Sequence, residues 1–223
     1  MYTVCKERIK QRRVVMMQPV AVSRKVRNYS IADVAPQTGP LEGLKGQRVI
    51  VIADVENLSF SAKNLNHGYR LSYKALAERL RTYTKGCSLH AFYSSNANDN
   101  RAEYFQKRGW IPHVKPIDIV NRGREKLANS DVFLAAKAGI LVRNGFDAVV
   151  LATGDGSLAI DIARAIVALP KKRAIFTLSL AGSTSRRLDA SRNPIISENI
   201  EIGLDVLNPI INNTAMGGAA WKH

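Results

Sequence analysis

Apolar and polar residues alternate along most of the chain in a pattern of strand-like and helix-like segments. Five small apolar residues, 49–53, run directly into Asp54, and a second apolar run within 147–152 shortly precedes Asp155. Continuous apolar runs of this length are typical of central strands that are covered on both faces. We therefore predict two buried strands, over 48–54 and 147–152, each leading into an acidic residue.

The remaining segments fit a repeated strand–helix–strand order. Helical spacing stops at Gly or Pro residues, and the strand-like runs lie between turn signals. The further predicted strands are 88–93, 110–115, 174–180 and 195–196, and the predicted helices are 71–83 with Ser72 as its cap, a segment ending at Arg108, 129–143 and 157–169. Polar or basic loops are predicted over 59–70 and 116–126.

This repetition predicts the fold class. Crossover connections between parallel strands are right-handed and place helices on both faces of the sheet. We therefore predict an α/β protein with three layers, α/β/α, and a mainly parallel central sheet, in which the strands that lead to Asp54 and Asp155 are neighbours at the switch point. The predicted organisation is a basic N-terminal arm and linker over 1–46, one domain over 47–207 and a C-terminal tail over 208–223.

The charge composition indicates which class of molecule the protein binds. The chain has 223 residues, of which 46% are hydrophobic, and its 33 Lys and Arg residues exceed its 18 Asp and Glu residues, giving a formal net charge of +15. This excess favours a polyanionic partner, with nucleic acid ahead of an anionic membrane surface. No apolar run approaches the ~20 residues that a membrane-spanning helix needs. The two cysteines, Cys5 and Cys87, indicate neither a zinc site nor a disulfide framework and suit a cytoplasmic location.

Three acidic residues stand where predicted strands end or helices begin: Asp54, Asp131 and Asp155. Taken singly, each has a structural alternative, because Asp is also favoured in turns and at helix N-termini. Asn57 is likewise either a turn residue or a group that orients Asp54 or holds a substrate phosphate. If the three carboxylates meet, a hard divalent cation such as Mg²⁺ or Mn²⁺ relieves their repulsion. Such an ion activates water for attack on a phosphodiester.

Three short motifs resemble those of a known family. They are Asp54-x-Glu56-Asn57, Lys126-x-x-x-Ser130-Asp131-x-x-Leu134-Ala135 and Leu151-Ala-Thr-Gly-Asp155-Gly-x-Leu158. In this order and spacing, over about residues 48–180, the chain resembles the NYN domain, which is similar to PIN nucleases. The resemblance implies a Rossmann-like PIN fold and metal-dependent cleavage of RNA. By the same matching, Asp54, Asp131 and Asp155 would be the catalytic metal ligands and Asn57 a site residue that contacts RNA.

The sequence departs from the family pattern at two positions. Where the family often has a second acid after the Gly-Asp motif, this chain has Ser157, and where it often has an acid six residues beyond Asp131, this chain has Lys137. The site therefore loses negative charge, and a lysine beside the carboxylates would neutralise them without a metal. Asp161 offers a replacement carboxylate, although its spacing from Asp155 is not a whole number of helical turns.

Basic residues near the predicted site fit an RNA ligand. Cationic side chains in these segments would draw a phosphate backbone toward the acids. They are Arg122, Arg124 and Lys126 before the Asp131 helix, and Arg186 and Arg187 after the strand 174–180.

Two functions of different classes follow from these observations. The first is an NYN-type endoribonuclease that needs Mg²⁺ or Mn²⁺ and hydrolyses RNA at the acidic cluster. The second is a weakened or inactive NYN domain that binds RNA or assembles with a protein partner or a second copy of itself. A Rossmann-type nucleotide-binding protein ranks lower, because neither GxGxxG nor GxxxxGK[ST] occurs in the chain.

Overall fold

A six-stranded sheet forms the centre of the part of the chain that the structure describes. The structure is a computed structural model and describes residues 41–65, 69–95, 99–116, 118–120, 124–126 and 130–209. The strands are β1 (Arg48–Asp54), β2 (Tyr69–Leu71), β3 (Gly86–Ser95), β4 (Ile111–Pro116), β5 (Asp118–Val120), β6 (Arg124–Lys126), β7 (Ala148–Ala152), β8 (Ala174–Leu180), β9 (Glu198–Ile202) and β10 (Leu207–Pro209). The helices are α1 (Val55–Leu65), α2 (Tyr73–Tyr83), α3 (Arg101–Gln106), α4 (Ser130–Leu141) and α5 (Gly156–Val167).

The central sheet has the strand order β4-β3-β1-β7-β8-β9, and all its neighbouring strands are parallel. From β1 the chain first builds outward through β3 and β4, and then returns to the other side of β1 to add β7. The order therefore reverses between β1 and β7, which is the switch point where open α/β sheets bind ligands at the carboxyl ends of their strands. The predicted fold class and the predicted adjacency of these two strands are both confirmed.

Helices cover both faces of the sheet. Along β1, Val49 and Val51 pack into a hydrophobic cluster with residues of α1, α2 and α3, whereas Ile50 and Ile52 pack into a second cluster with residues of α4 and α5. We call these the α1–α3 face and the α4–α5 face. Because all four side chains are at most 1% exposed, each contributes about 1.5–3 kcal/mol of hydrophobic free energy. Truncating Ile52 to Ala would cost about 2–5 kcal/mol.

A local sequence signal explains where α2 begins, whereas α1 was not predicted. Ser72 caps α2, as predicted, because its Oγ accepts a hydrogen bond from the backbone N–H of Ala75 at 3.2 Å. The predicted polar loop over 59–70 is wrong, since most of it lies in α1. The buried residues Val55 and Leu58 stand at helical spacing in α1, but the polar residues between them obscure this stripe.

Two further segments differ from the sequence-based expectation. The predicted loop over 116–126 contains β5 and β6, which pair as an antiparallel two-stranded sheet. The short strand predicted at 195–196 is absent from the described residues there, and the sheet instead ends in β9, where Ile200 and Ile202 are buried and alternate with Glu201. An edge strand with acidic residues has a weaker hydrophobic signal than a central one.

The ends of the described chain contribute to the α1–α3 face. Leu41 and Leu44 are at most 1% exposed and belong to its hydrophobic cluster, and β10 pairs with β2 in a separate antiparallel sheet. The division of the chain at 46 and 207 stays a prediction. Within the described ranges, no helix is both long and apolar enough to cross a membrane.

Candidate active site at the switch point

Asp54 is the last residue of β1 and lies at the carboxyl edge of the sheet. Its Oδ1 accepts a hydrogen bond from the backbone N–H of Asn57 at 3.0 Å, and its Oδ2 accepts one from Thr153 Oγ1 at 3.4 Å. The first of these bonds satisfies a free N–H in the first turn of α1, so Asp54 also acts as a helix cap. Burial raises the pKa of Asp54 from 3.8 to about 6, with a smaller contribution from the negative charges of Glu56 and Asp131.

A side-chain hydrogen bond ties the end of β1 to the loop after β7. Asn57 Oδ1 accepts a hydrogen bond from the backbone N–H of Gly154 at 2.7 Å. A Cβ atom at position 154 would lie only 2.8 Å from the carbonyl oxygen of Ser183, so the close approach requires glycine. Asn57 therefore fixes the relative position of the two loops that bear acidic residues.

Thr153 connects Asp54 with Asp155. Thr153 is 3% exposed, and its hydroxyl donates to Asp54 Oδ2 and accepts a hydrogen bond from the backbone N–H of Asp155 at 3.2 Å. The two acidic residues are thus joined through one buried hydroxyl. Sequence reasoning missed Thr153 as a site residue, although its place before the Gly-Asp turn was a usable signal.

Asp155 is the N-cap of α5. Its Oδ1 accepts hydrogen bonds from the backbone N–H groups of Ser157 at 2.8 Å and Leu158 at 3.2 Å. Asp155 therefore does cap a helix N-terminus, which was the structural alternative to a catalytic role. Because both bonds use Oδ1, Oδ2 makes no hydrogen bond among the described contacts and is available to a ligand.

Asp131 lies in the first turn of α4 and is exposed. Its negative charge contributes to the raised pKa of Asp54, which shows that the two carboxylates are electrostatically close. Glu56 belongs to the same group of charges, and its Oε1 accepts a hydrogen bond from the backbone N–H of Ser94 at 2.9 Å. Glu56 was part of the β1 motif but was not singled out as a site residue.

The acidic residues do not form a complete metal cage in the described part of the chain. There, no group of three or more His, Cys, Asp or Glu side chains is arranged to hold a metal ion. The donor set nonetheless suits a cation that keeps much of its water shell. Asp54 is half-buried, lies near two other negative charges, and forms no ion pair with a described residue. Mg²⁺ is commonly held by one or two carboxylates, with water and substrate oxygens completing its shell.

Ser157, at one of the two positions where the sequence departs from the family pattern, has a defined contact. Arg187 donates a hydrogen bond from Nη1 to Ser157 Oγ at 2.9 Å. Asp161 is exposed and pairs with Arg164 at 3.3 Å. Lys137 is also exposed, and no described ion pair joins it to a carboxylate.

The charge of Lys137 acts on a different group. Burial, and then the positive charge of Lys137, lower the pKa of His113 on β4. The sequence suggested a contact between Lys137 and the acidic residues. Among the described residues, no such contact is found.

The predicted RNA-binding residues are distributed between two segments. Arg186 and Arg187 are exposed in a 3₁₀ turn, Arg186–Leu188. This turn adjoins the switch point, because the backbone N–H of Ser185 donates to the carbonyl oxygen of Gly154 at 3.2 Å. Arg124 and Lys126 lie at the two ends of β6, whereas Arg122 lies outside the described residues.

Comparison with known proteins agrees with the fold and the motifs. The family model for the NYN domain matches residues 48–198. A solved structure of a protein of unknown function from Vibrio parahaemolyticus RIMD 2210633 has a TM-score of 0.58 and 19% sequence identity, with 73% of this chain and 97% of that chain covered. At this identity the likeness shows the fold alone. No curated protein matches the chain significantly.

The family match bears on function at a coarse level. The NYN domain indicates a nuclease-like function related to RNA, and NYN and PIN-like nucleases generally use divalent metals.

Proposed function

Since this chain belongs to the NYN domain family, within the PIN-like superfamily, we propose that it is a divalent-cation-dependent endoribonuclease. The observation that carries the proposal is the environment of Asp54. A half-buried carboxylate with a raised pKa stands at the switch point, close to the charge of Asp131 and joined through Thr153 to Asp155. Perturbed acids in this position are typical of functional sites.

In this proposal Asp54, Asp131 and Asp155 hold Mg²⁺ or Mn²⁺. The cation, when bound, supplies activation of water and stabilisation of charge on the leaving oxygen of the phosphodiester. Asp54 contributes a half-buried negative charge, and Asp155 contributes the oxygen that its helix cap does not use. Asn57 and Thr153 keep these two acids in place through the hydrogen bonds that link the β1 and β7 ends.

The basic residues would bind the phosphate backbone. Arg187 is held by the neutral hydroxyl of Ser157 and forms no ion pair with a described residue, so its charge is available for a phosphate oxygen. Arg186 lies beside it in the same exposed turn. We assign the same role to Arg122, Arg124 and Lys126, which precede α4 in the sequence.

A second candidate function is RNA binding or complex assembly without cleavage. It is favoured by the use of both Asp54 and Asp155 as helix caps and by the neutral Ser157 beside Arg187. A protein partner or a second copy of the chain would then be the binding partner in addition to RNA. In both cases we propose a cytoplasmic location.

Cleavage of single-stranded RNA distinguishes the two functions. An end-labelled RNA incubated with the full chain should be cut at internal positions with Mg²⁺ or Mn²⁺ and left intact with excess EDTA. Asp54→Asn should slow cleavage by about 100-fold or more, as expected for the loss of one preorganised electrostatic contact. The matched control is Asp147→Asn, because Asp147 pairs with Arg48 at the opposite end of the same two strands. RNA binding without cutting under all metals would overturn the nuclease and favour the second function.

A further inference from the structure

The hydroxyl group of Ser94 is a buried polar group that has no hydrogen-bond partner among the described residues. Ser94 is 2% exposed, and its Oγ makes no hydrogen bond in the described structure. The backbone of the same residue is fully engaged, because its N–H donates to Glu56 Oε1 at 2.9 Å and its carbonyl oxygen accepts from Arg101 Nη2 at 2.5 Å. Buried hydroxyls in native proteins are nearly always satisfied, so this one needs an explanation.

Strand alternation places this hydroxyl on the same side of the sheet as Asp54. On β3, Phe92 belongs to the cluster of the α4–α5 face, and Tyr93 belongs to that of the α1–α3 face. Successive side chains on a strand point to opposite faces, so Ser94 follows Phe92 toward α4. Asp54 follows Ile52 to the same face, and its register partner on β3 is Phe92.

Asp131, in the first turn of α4, lies on the same side of the sheet as Asp54 and Ser94. Phe92 packs against Phe133 in the first turns of α4, with ring centroids 6.0 Å apart, and Asp131 precedes Phe133 by two residues. The charge of Asp131 is felt by Asp54. Asp54, Asp131 and the Ser94 hydroxyl therefore lie on the α4–α5 side of the sheet, near the carboxyl ends of β1 and β3.

We propose that Ser94 Oγ is the neutral oxygen ligand of the divalent cation that Asp54 and Asp131 hold, either directly or through one bound water. The inference rests on the proposed function, and it adds one neutral protein oxygen to the carboxylates of that site. The chemistry is familiar, since a serine or threonine hydroxyl together with an aspartate holds Mg²⁺ in P-loop NTPases. Hard oxygen donors of this kind suit Mg²⁺ and Mn²⁺.

The chain offers a matched control one residue away. The hydroxyl of Tyr93 likewise has no hydrogen-bond partner in the part of the chain that the structure describes, and the residue is 2% exposed. Its ring, however, packs on the α1–α3 face, 5.2 Å from the ring centroid of Phe105. Ser94→Ala and Tyr93→Phe each remove one unpartnered buried hydroxyl, but only the first removes it from the acidic site.

The test measures the affinity of the full chain for Mn²⁺, with electron paramagnetic resonance used to quantify the free Mn²⁺. Thermal unfolding in the absence of metal is a second measurement. Ser94→Ala should weaken Mn²⁺ binding by about 10–100-fold, as for other groups that support a metal site, and Tyr93→Phe should bind as the wild type does. Without metal, both variants should unfold at or above the wild-type temperature. Ser94→Thr, which keeps a hydroxyl, should restore most of the affinity.

Two results would overturn the inference, and they differ in scope. If the wild type binds Mn²⁺ and Ser94→Ala binds it equally well, the role of Ser94 is refuted while the proposed nuclease stands. If the wild type binds no Mn²⁺ at millimolar concentration, the cation-dependent function itself fails, and the inference fails with it.

Discussion

Asn57 Oδ1 accepts a hydrogen bond from the backbone N–H of Gly154 over 2.7 Å, which joins the ends of two strands separated by almost a hundred residues of sequence. Asn57 also donates its backbone N–H to Asp54. One residue therefore contacts both loops that bear acidic groups at the switch point. The relative position of Asp54 and Asp155 depends on this link more directly than on any ion pair.

Replacing Asn57 by Ala should destabilise the fold by about 1–3 kcal/mol, because it leaves the N–H of Gly154 without its partner. Urea unfolding of the purified chain measures this difference. The control is Asn64→Ala, which changes an exposed asparagine on the same helix and should change stability by less than about 0.5 kcal/mol. Equal effects of the two substitutions would show that the link to Gly154 contributes nothing.

The raised pKa of Asp54 predicts a pH-dependent gain in stability on substitution. Its carboxyl is protonated in both states below 3.8 and is forced to ionise in the folded protein as the pH rises through about 6. Its contribution to stability is therefore lost with rising pH. Asp54→Asn should be more stable than the wild type by about 3 kcal/mol at neutral pH, because the pKa rises by about two units and each unit corresponds to about 1.4 kcal/mol.

This difference should shrink toward about pH 4, where the wild-type carboxyl holds its proton. Urea midpoints at several pH values give the curve. A constant difference between Asp54→Asn and the wild type would show that the site does not perturb Asp54.

The contribution of His90 to stability should depend on pH in the opposite direction to that of Asp54. It is 5% exposed, its Nδ1 shares a hydrogen bond with His113 Nε2 at 2.8 Å, and burial lowers its pKa from 6.5 to about 4. The unfolded chain therefore takes up this proton first on acidification, and the stability contributed by neutral His90 is lost as the pH falls from 6.5 through about 4.

Substitution of His90 isolates this contribution. His90→Gln should be less stable than the wild type at neutral pH, because it disturbs a buried hydrogen-bonded pair, but its stability should fall less steeply on acidification. The slope of the urea midpoint against pH is the measurement. Parallel slopes for His90→Gln and the wild type would contradict the assignment.

Two helical glycines should respond differently to an added methyl group. At Gly156, a Cβ atom would lie 2.8 Å from Ser185 Cβ and 2.9 Å from Arg187 Cβ, whereas at Gly139 it would meet nothing within 4 Å. Gly156→Ala should therefore cost about 1–3 kcal/mol through overpacking. Gly139→Ala should stabilise α4 by about 0.5–1 kcal/mol. Thermal unfolding compares them, and a stabilising Gly156→Ala would show that the 3₁₀ turn does not pack on α5 as described.

The parts of the fold with strong hydrophobic signals are predictable from the sequence. The apolar runs of β1 and β7 are buried on both faces of the sheet, so their pattern is continuous and their position unambiguous. Helix α1 escapes prediction because Asn57 and other polar residues interrupt a thin apolar stripe, and its stability comes from packing on the sheet rather than from propensity. Strand β9 escapes because an edge strand with glutamates shows a weak apolar run.

The candidate site is predictable in part for a similar reason. Acids at strand ends follow from sequence order, and the structure places the charge of Asp131 near Asp54. The supporting hydroxyls of Thr153 and Ser94 are less visible, because their roles depend on turn geometry and on which face of the sheet each side chain takes. The caps made by Asp54 and Asp155 are local contacts, and the sequence offers them as the structural alternative for each residue.

The most direct test of the account is a crystal structure of the full chain soaked in MnCl₂, with anomalous diffraction used to locate manganese. We expect one strong peak at the carboxyl ends of β1 and β3, at about 2.0–2.3 Å from a carboxylate oxygen of Asp54. The peak should be absent from Asp54→Asn crystals treated in the same way. Full manganese occupancy elsewhere on the protein, with none beside Asp54, would contradict the account.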